Sequence, residues 1–270
     1  MTGENKERLD LLLVKKGYFH SRSKAQGYIM GGRVLVNGIK IDKPGTRFKD
    51  DVDIKIIRKE HPYVSRGGLK LAKAVKEFGL TMKNKKILDI GASTGGFTHC
   101  ALINGAKKVY AVDVGYGQLA WELQNDPRVV SLERTNARYL EREDIGETVD
   151  MATIDVSFIS LRNILPAVSK ILVDGGEVVA LIKPQFEAGR ENVGKKGVVR
   201  EPKVHVKVIQ NVIKGAEKTD LYPLALTYSP IKGPRGNIEY LIYMIRSMEK
   251  LREKVVLDVS GVVGEAWKAT

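Results

Sequence analysis

Apolar positions along the chain follow two regimes. Between Arg8 and Lys16 they recur at helical spacing and stop at Gly17, and Ser21 or Ser23 suits the cap of a second helix running to Gly31 and Gly32. The period then shortens. Arg33-Val-Leu-Val-Asn-Gly predicts a strand that enters an Asn-Gly turn, followed by Ile39 to Ile41 and the alternating stretch Val52 to Ile57. Together these make an ααβββ-like unit over residues 1–60. His61-Pro62 breaks the pattern, because the residue before a proline resists helix, and 61–68 is expected as a connector.

Over 69–270, apolar strands alternate with helical patterns. Strands are predicted at Lys86 to Gly91, Lys108 to Val114, Val129 to Arg134, Val149 to Val156, Glu177 to Lys183, Pro223 to Ser229 and Ile238 to Ile245. Gly96 to Asn104, Gln118 to Gln124, Leu161 to Leu172 and Lys203 to Lys218 suit crossover helices, so a mostly parallel seven-stranded sheet covered on both faces is expected. Only the turn-rich Pro230 to Asn237 separates the last two strands, which predicts a hairpin and an antiparallel final strand.

Charge changes this picture. The chain carries 45 Lys and Arg against 32 Asp and Glu, a net +13. Nearly half of that excess lies in residues 1–60, and Leu11 to Ile41 holds Lys15, Lys16, Arg22, Lys24, Arg33 and Lys40 without one acidic residue. A one-signed surface of this kind suits a polyanion. The single cysteine, Cys100, has no disulfide partner within the chain, and no metal-ligand spacing surrounds it or the four histidines. No apolar run reaches the ~18 residues of a membrane span, and no signal core is evident, so a cytoplasmic protein without a metal is expected, its oligomeric state left open.

The strongest local motif is Asp89-Ile-Gly-Ala-Ser-Thr-Gly-Gly-Phe-Thr98, a glycine-rich turn between the first strand of the sheet and its helix. Gly91, Gly95 and Gly96 let the backbone approach a ligand at the carboxyl end of the sheet, where open α/β folds bind cofactors. A second strand ends at Asp113, at the distance where a carboxylate accepts hydrogen bonds from ribose hydroxyls. The G-x-G-x-x-G order of dinucleotide sites is absent, and no Gly-Lys-Ser/Thr follows as in a Walker loop. S-adenosylmethionine, with a carboxylate and an ammonium instead of phosphates, fits better. Backbone N–H groups of Ser93 to Phe97 suit the carboxylate, and Asp89 or Asp155 the cation. Ala92, Thr98 and Val114 complete the candidate lining, and Asn136 is a candidate for the adenine, with a plain Asx turn as the alternative.

Lys70, Asp155, Lys183 and Glu239 form the candidate catalytic set. Asp155 and Lys183 each close a strongly apolar strand, where a charge needs a partner, and Glu239 interrupts the apolar Asn237-Ile-Glu-Tyr-Leu-Ile-Tyr. A structural ion-pair cluster is the alternative. For methyl transfer to a ribose hydroxyl, a poor nucleophile, the group must be aligned and its proton must have somewhere to go. Lys183 suits that task, with Asp155 and Glu239 positioning the amine and Lys70 holding the substrate. After Lys183, a glycine-bearing loop runs to Arg200 and suits a lid, in which Phe186 is a candidate to stack on a flipped base or a packing anchor.

Two resemblances sharpen these expectations. R-L-D-L-L-L-V, S-R-S-K-A-Q-G-Y-I-M-G-G-R-V-L-V-N-G and D-V-D-I-K-I resemble the αL RNA-binding module, first defined in a small-subunit ribosomal protein; that likeness implies that Arg22, Lys24, Gln26 and Arg33 face phosphates. Arg66 joins them as a candidate RNA contact. The Lys-Asp-Lys-Glu order resembles the tetrad of FtsJ-like ribose 2′-O-methyltransferases. Nearly end to end, through Tyr63-Val-Ser-Arg-Gly-Gly-Leu-Lys-Leu, Asp155-Val-Ser-Phe-Ile-Ser, Lys183-Pro-Gln-Phe-Glu and Gly233-Pro-Arg-Gly-Asn-Ile-Glu, the chain is similar to the TlyA family. That similarity implies a Rossmann-like class I methyltransferase fold beside a small α+β RNA-binding domain, acting on cytidine riboses of ribosomal RNA. The rival readings are a non-catalytic ribosome-assembly factor and the membrane-active protein implied by the hemolysin label of many members. Base methylation is disfavoured, since neither an Asn/Asp-Pro-Pro-Tyr motif nor a suitable cysteine is present.

Overall fold

The structure, a computed structural model, describes residues 6–57, 61–247 and 255–269. Contacts divide the chain into two compact units, Met1–Pro62 and Tyr63–Thr270. The expected outer limits of the first domain, residues 1 and 60, lie outside the described residues.

In the first unit β1 (Glu7–Arg8) leads into α1 (Leu9–Lys15) and α2 (Arg22–Met30), followed by β2 (Val34–Val36), β3 (Ile39–Ile41), β4 (Arg47–Phe48) and β5 (Ile54–Ile56). Ser21 caps α2 by accepting the Lys24 N–H at 3.3 Å, which satisfies one of the donors a helix start leaves open. Asn37 and Gly38 both have positive φ, +50° and +77°, the conformation that a two-residue hairpin turn demands between β2 and β3. The three-stranded antiparallel sheet β3-β2-β5 and the helices close over Leu9, Leu12, Leu13, Ala25, Ile29 and Val34, all fully buried. β1 pairs with β4 as a separate two-stranded ribbon.

The second unit holds α3 (Gly67–Glu77), β6 (Lys86–Ile90), α4 (Gly96–Ile103), β7 (Lys108–Val112), α5 (Trp121–Gln124), β8 (Val129–Leu132), α6 (Arg142–Ile145), β9 (Val149–Ile154) and α7 (Leu165–Ile171). β10 (Leu172–Ile182), α8 (Pro184–Glu187), α9 (Pro202–Glu217), β11 (Leu221–Tyr228), β12 (Tyr240–Arg246) and α10 (Val259–Ala269) complete it. Within 61–68, Tyr63 is buried in this unit and α3 starts at Gly67. The expected seven-stranded sheet is present in the order β11-β12-β10-β9-β6-β7-β8, parallel from β10 to β8. β12 slots between β11 and β10, antiparallel to both. Pro223 lies in β11, at one margin of the sheet, beside a register shift between Pro223 and Ala225.

Alternation along the strands divides the core in two. Ile87, Val109, Met151, Val179 and Leu241 face one layer; Leu88, Tyr110, Ala152, Val178 and Ile242 face the other. α9 is long and regular because Val208, Ile209, Val212 and Ala216 make one apolar stripe behind Pro202 in its first turn. The expected helix over Leu161 to Leu172 is split into a 3₁₀ turn, Leu161–Asn163, and α7, because Pro166 withholds an N–H and crowds the carbonyl one turn back. α5 covers only the end of the expected Gln118 to Gln124, since Ala120 is extended.

Candidate active site

The carboxyl ends of β6, β7, β9 and β10 supply the site. β6 runs out at Ile90 and the chain turns at Gly91, whose φ is +79°. A Cβ there would stand 2.5 Å from the Asp155 carbonyl oxygen, so only glycine lets the turn after β6 lie against the chain leaving β9. The peptide of Asp155 itself donates to the Ile90 carbonyl at 2.9 Å, fixing the two strand ends together. Gly96 is equally constrained: a side chain would meet the Gly68 nitrogen at 2.8 Å and the Gly67 Cα at 3.1 Å, so the starts of α4 and α3 touch backbone to backbone.

Two cavities open on this rim. One, of about 410 Å³, is lined by the apolar Ile90, Val112, Val114, Ala137, Ile159 and Ile164 with Gly91, Asp113, Asn136, Asp155 and Ser157. The other, of about 360 Å³, is polar and is lined by Ser65, Arg66, Lys70, Gly91, Ala92, Ser93, Gly96, Phe97, Asp155, Ser157, Lys183 and Lys232, among others. They share Gly91, Ser93, Asp155 and Ser157. A further cavity of about 400 Å³ beside Gln210, Tyr222 and Leu257 has no residue in common with them.

Where the cavities meet, the four charged candidates converge although they come from α3, the ends of β9 and β10 and the start of β12. Lys183 Nζ is 2.6 Å from Asp155 Oδ1 and donates to Ser157 Oγ at 2.9 Å. Lys70 Nζ donates to Glu239 Oε2 at 2.7 Å and lies 3.7 Å from Asp155 Oδ2. Both lysines are 8% exposed and Glu239 is wholly buried, so the cluster is a chain of mutually compensated charges. A Cβ on Gly233 would collide with the Glu239 carboxylate, and this glycine therefore leaves the acid its place.

The other expected cofactor residues divide. Asp113 accepts the Ser93 N–H at 2.8 Å and the Gly115 N–H at 2.7 Å, which holds its carboxylate at the apolar cavity. Asn136 lines the same cavity while its side-chain Oδ1 accepts the Arg138 N–H at 3.1 Å, so the Asx turn and the cavity position coexist. Asp89 and Thr98 line neither cavity. Asp89 is fully buried, accepting Thr98 Oγ1 at 2.5 Å and Thr153 Oγ1 at 2.9 Å, and burial pushes its carboxyl up to about 6 against those two hydrogen bonds. Gly95 has φ +93°, and a Cβ on it would run into the Leu123 and Leu119 side chains. Phe186 is half-buried, 4.9 Å from the ring of Phe158, and it is Phe158, 90% exposed with φ +65°, that stands in solvent. Neither Phe158 nor Ser157 was singled out from the sequence; a backbone that turns left-handed at a phenylalanine leaves no local signature.

In the first unit, Asp10 is wholly buried at the start of α1 and gathers the basic side chains. Arg8 donates to it twice at 3.0 Å, Arg22 at 2.9 Å and Gln26 at 2.7 Å. Burial opposes its charge, but these donors prevail and hold the carboxyl well below the usual range. Gln26 is thus turned toward Asp10, Lys24 is exposed, and Arg33 lies 5.2 Å above the Tyr28 ring. Arg8 is a member of this group that its sequence context did not reveal.

A sheet that is parallel except where β12 slots in, with a glycine turn after its central strand, makes this a doubly wound α/β domain with the Rossmann-like methyltransferase fold. A family model described as FtsJ-like methyltransferase matches residues 63–246, and one described as S4 domain matches residues 7–54. The chain belongs to the TlyA family of FtsJ-like methyltransferases. It is 53% identical over 240 residues to YqxC of Bacillus subtilis, which carries an rRNA methyltransferase designation; the match covers 88% of this chain and 85% of that protein. Identity is 43% over 238 residues to the Mycobacterium tuberculosis 16S/23S rRNA (cytidine-2′-O)-methyltransferase TlyA, covering 88% and 89% of the two chains. A solved structure from Streptococcus thermophilus, labelled a hemolysin, superposes with a TM-score of 0.74 at 47% identity over 99% of this chain and 98% of that one.

Proposed function

We propose that this protein transfers a methyl group from S-adenosylmethionine to the ribose 2′-hydroxyl of a cytidine in ribosomal RNA. The observation that carries the reading is the Lys70, Asp155, Lys183 and Glu239 cluster at the junction of an apolar and a polar cavity. The residues present fit the cofactor: Gly91 lets the turn after β6 close against the chain leaving β9 at the rim of both cavities, the larger cavity has apolar walls for an adenine, and Asp113 offers a carboxylate to a ribose diol. Ser93 to Phe97 would hold the amino-acid carboxylate and Asp155 the ammonium. When bound, the cofactor supplies a methyl group on a positively charged sulfur.

The remaining work falls to the chain. Lys183, fixed between Asp155 and Ser157, orients the 2′-hydroxyl and, as the neutral amine, takes up its proton on the nitrogen lone pair as the oxygen attacks the methyl carbon in line. Glu239 neutralises Lys70, which holds the nucleotide in the polar cavity beside Arg66 and Lys232. Phe158, backed by Phe186, offers an exposed ring to a base lifted from its helix, and Arg8, Arg22, Lys24 and Arg33 offer charge to phosphates in the first unit. Among the described residues no helix is long and apolar enough to cross a membrane, and no cluster of His, Cys, Asp and Glu could hold a metal ion.

The test offers labelled S-adenosylmethionine with naked ribosomal RNA, separate subunits and assembled ribosomes. Product is mapped by alkali resistance, since a methylated 2′-oxygen cannot attack the neighbouring phosphate. Lys183→Ala is expected to lower transfer by about 10²-fold or more with cofactor affinity nearly unchanged. Wild-type transfer by that variant would remove Lys183 from the mechanism, and cofactor binding without transfer to any RNA by the native chain would leave a non-catalytic binding factor.

A further inference from the structure

The lysine at the centre of the proposed reaction has a second restraint besides its carboxylate. Ser157 stands two residues beyond Asp155, on the turn that leaves β9, and its Oγ accepts a hydrogen bond from Lys183 Nζ at 2.9 Å. It lines both cavities, whereas Lys183 lines the polar one alone. Ser157 is exposed and the next residue, Phe158, has φ +65°. Its side chain therefore adds nothing to the apolar core, and the turn presents it at the seam where transferred group and acceptor would meet.

An amine on four flexible carbons is a poor aligning device unless its rotation about Cε–Nζ is set. One acceptor fixes where the nitrogen sits; a second, in a different direction, fixes how its three positions are spent. To take up a proton the amine must present its lone pair, and with an N–H directed to Ser157 Oγ at 2.9 Å and the Asp155 carboxylate beside it at 2.6 Å, that lone pair is the position left for the 2′-hydroxyl. We infer that Ser157 is a positioning residue for methyl transfer: its hydroxyl sets the Lys183 amine so that the remaining position addresses the ribose 2′-oxygen. This rests on the role proposed above for Lys183.

Because the effect belongs to alignment during transfer, it appears in kcat rather than in binding. Ser157→Ala, Ser157→Thr and Lys183→Ala are compared with the native chain, using S-adenosylmethionine and ribosomal subunits isolated from cells lacking this protein. Expected for Ser157→Ala is a kcat about tenfold lower, with KM for the subunits and cofactor affinity by calorimetry unchanged; Ser157→Thr, which keeps the hydroxyl, recovers most of the rate. Substantial activity in Lys183→Ala overturns both the mechanism and this inference. Native kcat in Ser157→Ala while Lys183→Ala is inactive overturns this inference alone. So does a Ser157→Ala defect confined to cofactor affinity, or a threonine variant as slow as the alanine one.

Discussion

At the scale of single residues, Asp89 shows how position outweighs type. Its carboxyl ionises near pH 6 in the folded chain but near pH 4 in an unfolded one, so folding binds a proton across that window. Stability from this group is highest below about pH 4 and falls as pH rises toward 6, by about 3 kcal/mol in all. Asp89→Asn removes the dependence: its urea midpoint relative to the native chain should climb between pH 4 and pH 8, and a difference that stays constant would contradict the assigned cause. Gly91→Ala is the complementary case. Its positive φ and the approach of the Asp155 carbonyl make alanine strained by about 2 kcal/mol, and calorimetry should find both a lower Tm and weaker S-adenosylmethionine binding.

Residue types in the sequence marked the tetrad because charges at the ends of Met151-Ala-Thr-Ile and Val178-Val-Ala-Leu-Ile are costly unless paired. That cost is local and readable. The direction of a side chain is not. Asp89 lies near the end of one apolar strand and Asp155 just past another, yet one is closed off behind Thr98 and Thr153 and the other opens on two cavities. Ser157 and Phe158 owe their placement to a left-handed backbone that no propensity foretells.

Among the elements, the segment after α8 is more tied down than a lid of glycines implies. Asn237, just before β12 and 2% exposed, donates to the Gly197 carbonyl at 2.9 Å and to the Pro234 carbonyl at 3.0 Å, and accepts from the Val199 N–H at 3.4 Å. Arg235 donates to the Lys196 carbonyl at 3.1 Å. The loop is thus pinned to the segment before β12 that carries Glu239. Asn237→Ala leaves the Gly197 and Pro234 carbonyls without that donor, so trypsin should cut at Lys195 and Lys196 faster than in the native chain, with cleavage elsewhere unchanged; equal rates would show that the pin does not hold the loop. Periodicity located all seven strands, and the turn signals around Pro230 to Asn237 announced the antiparallel ending. α10 went unread, since Val259 to Ala269 becomes a helix through its packing of Val259, Val263 and Ala266 onto the sheet's outer layer.

For the whole molecule the governing quantity is its charge of +13. If about six cations displace counterions, affinity for ribosomal RNA should fall about 10³-fold between 50 and 200 mM salt, while calorimetric S-adenosylmethionine affinity changes little. A flat salt response of RNA binding would take the basic surface out of recognition.

Pro223 has one more effect. A border strand normally exposes a row of amides that can recruit a foreign strand and seed a fibril. β11 is such a border, but Pro223 has no amide to offer, sits buried beside Val255 and Leu257, and adjoins a register shift that interrupts the regular row, three features that work against such recruitment.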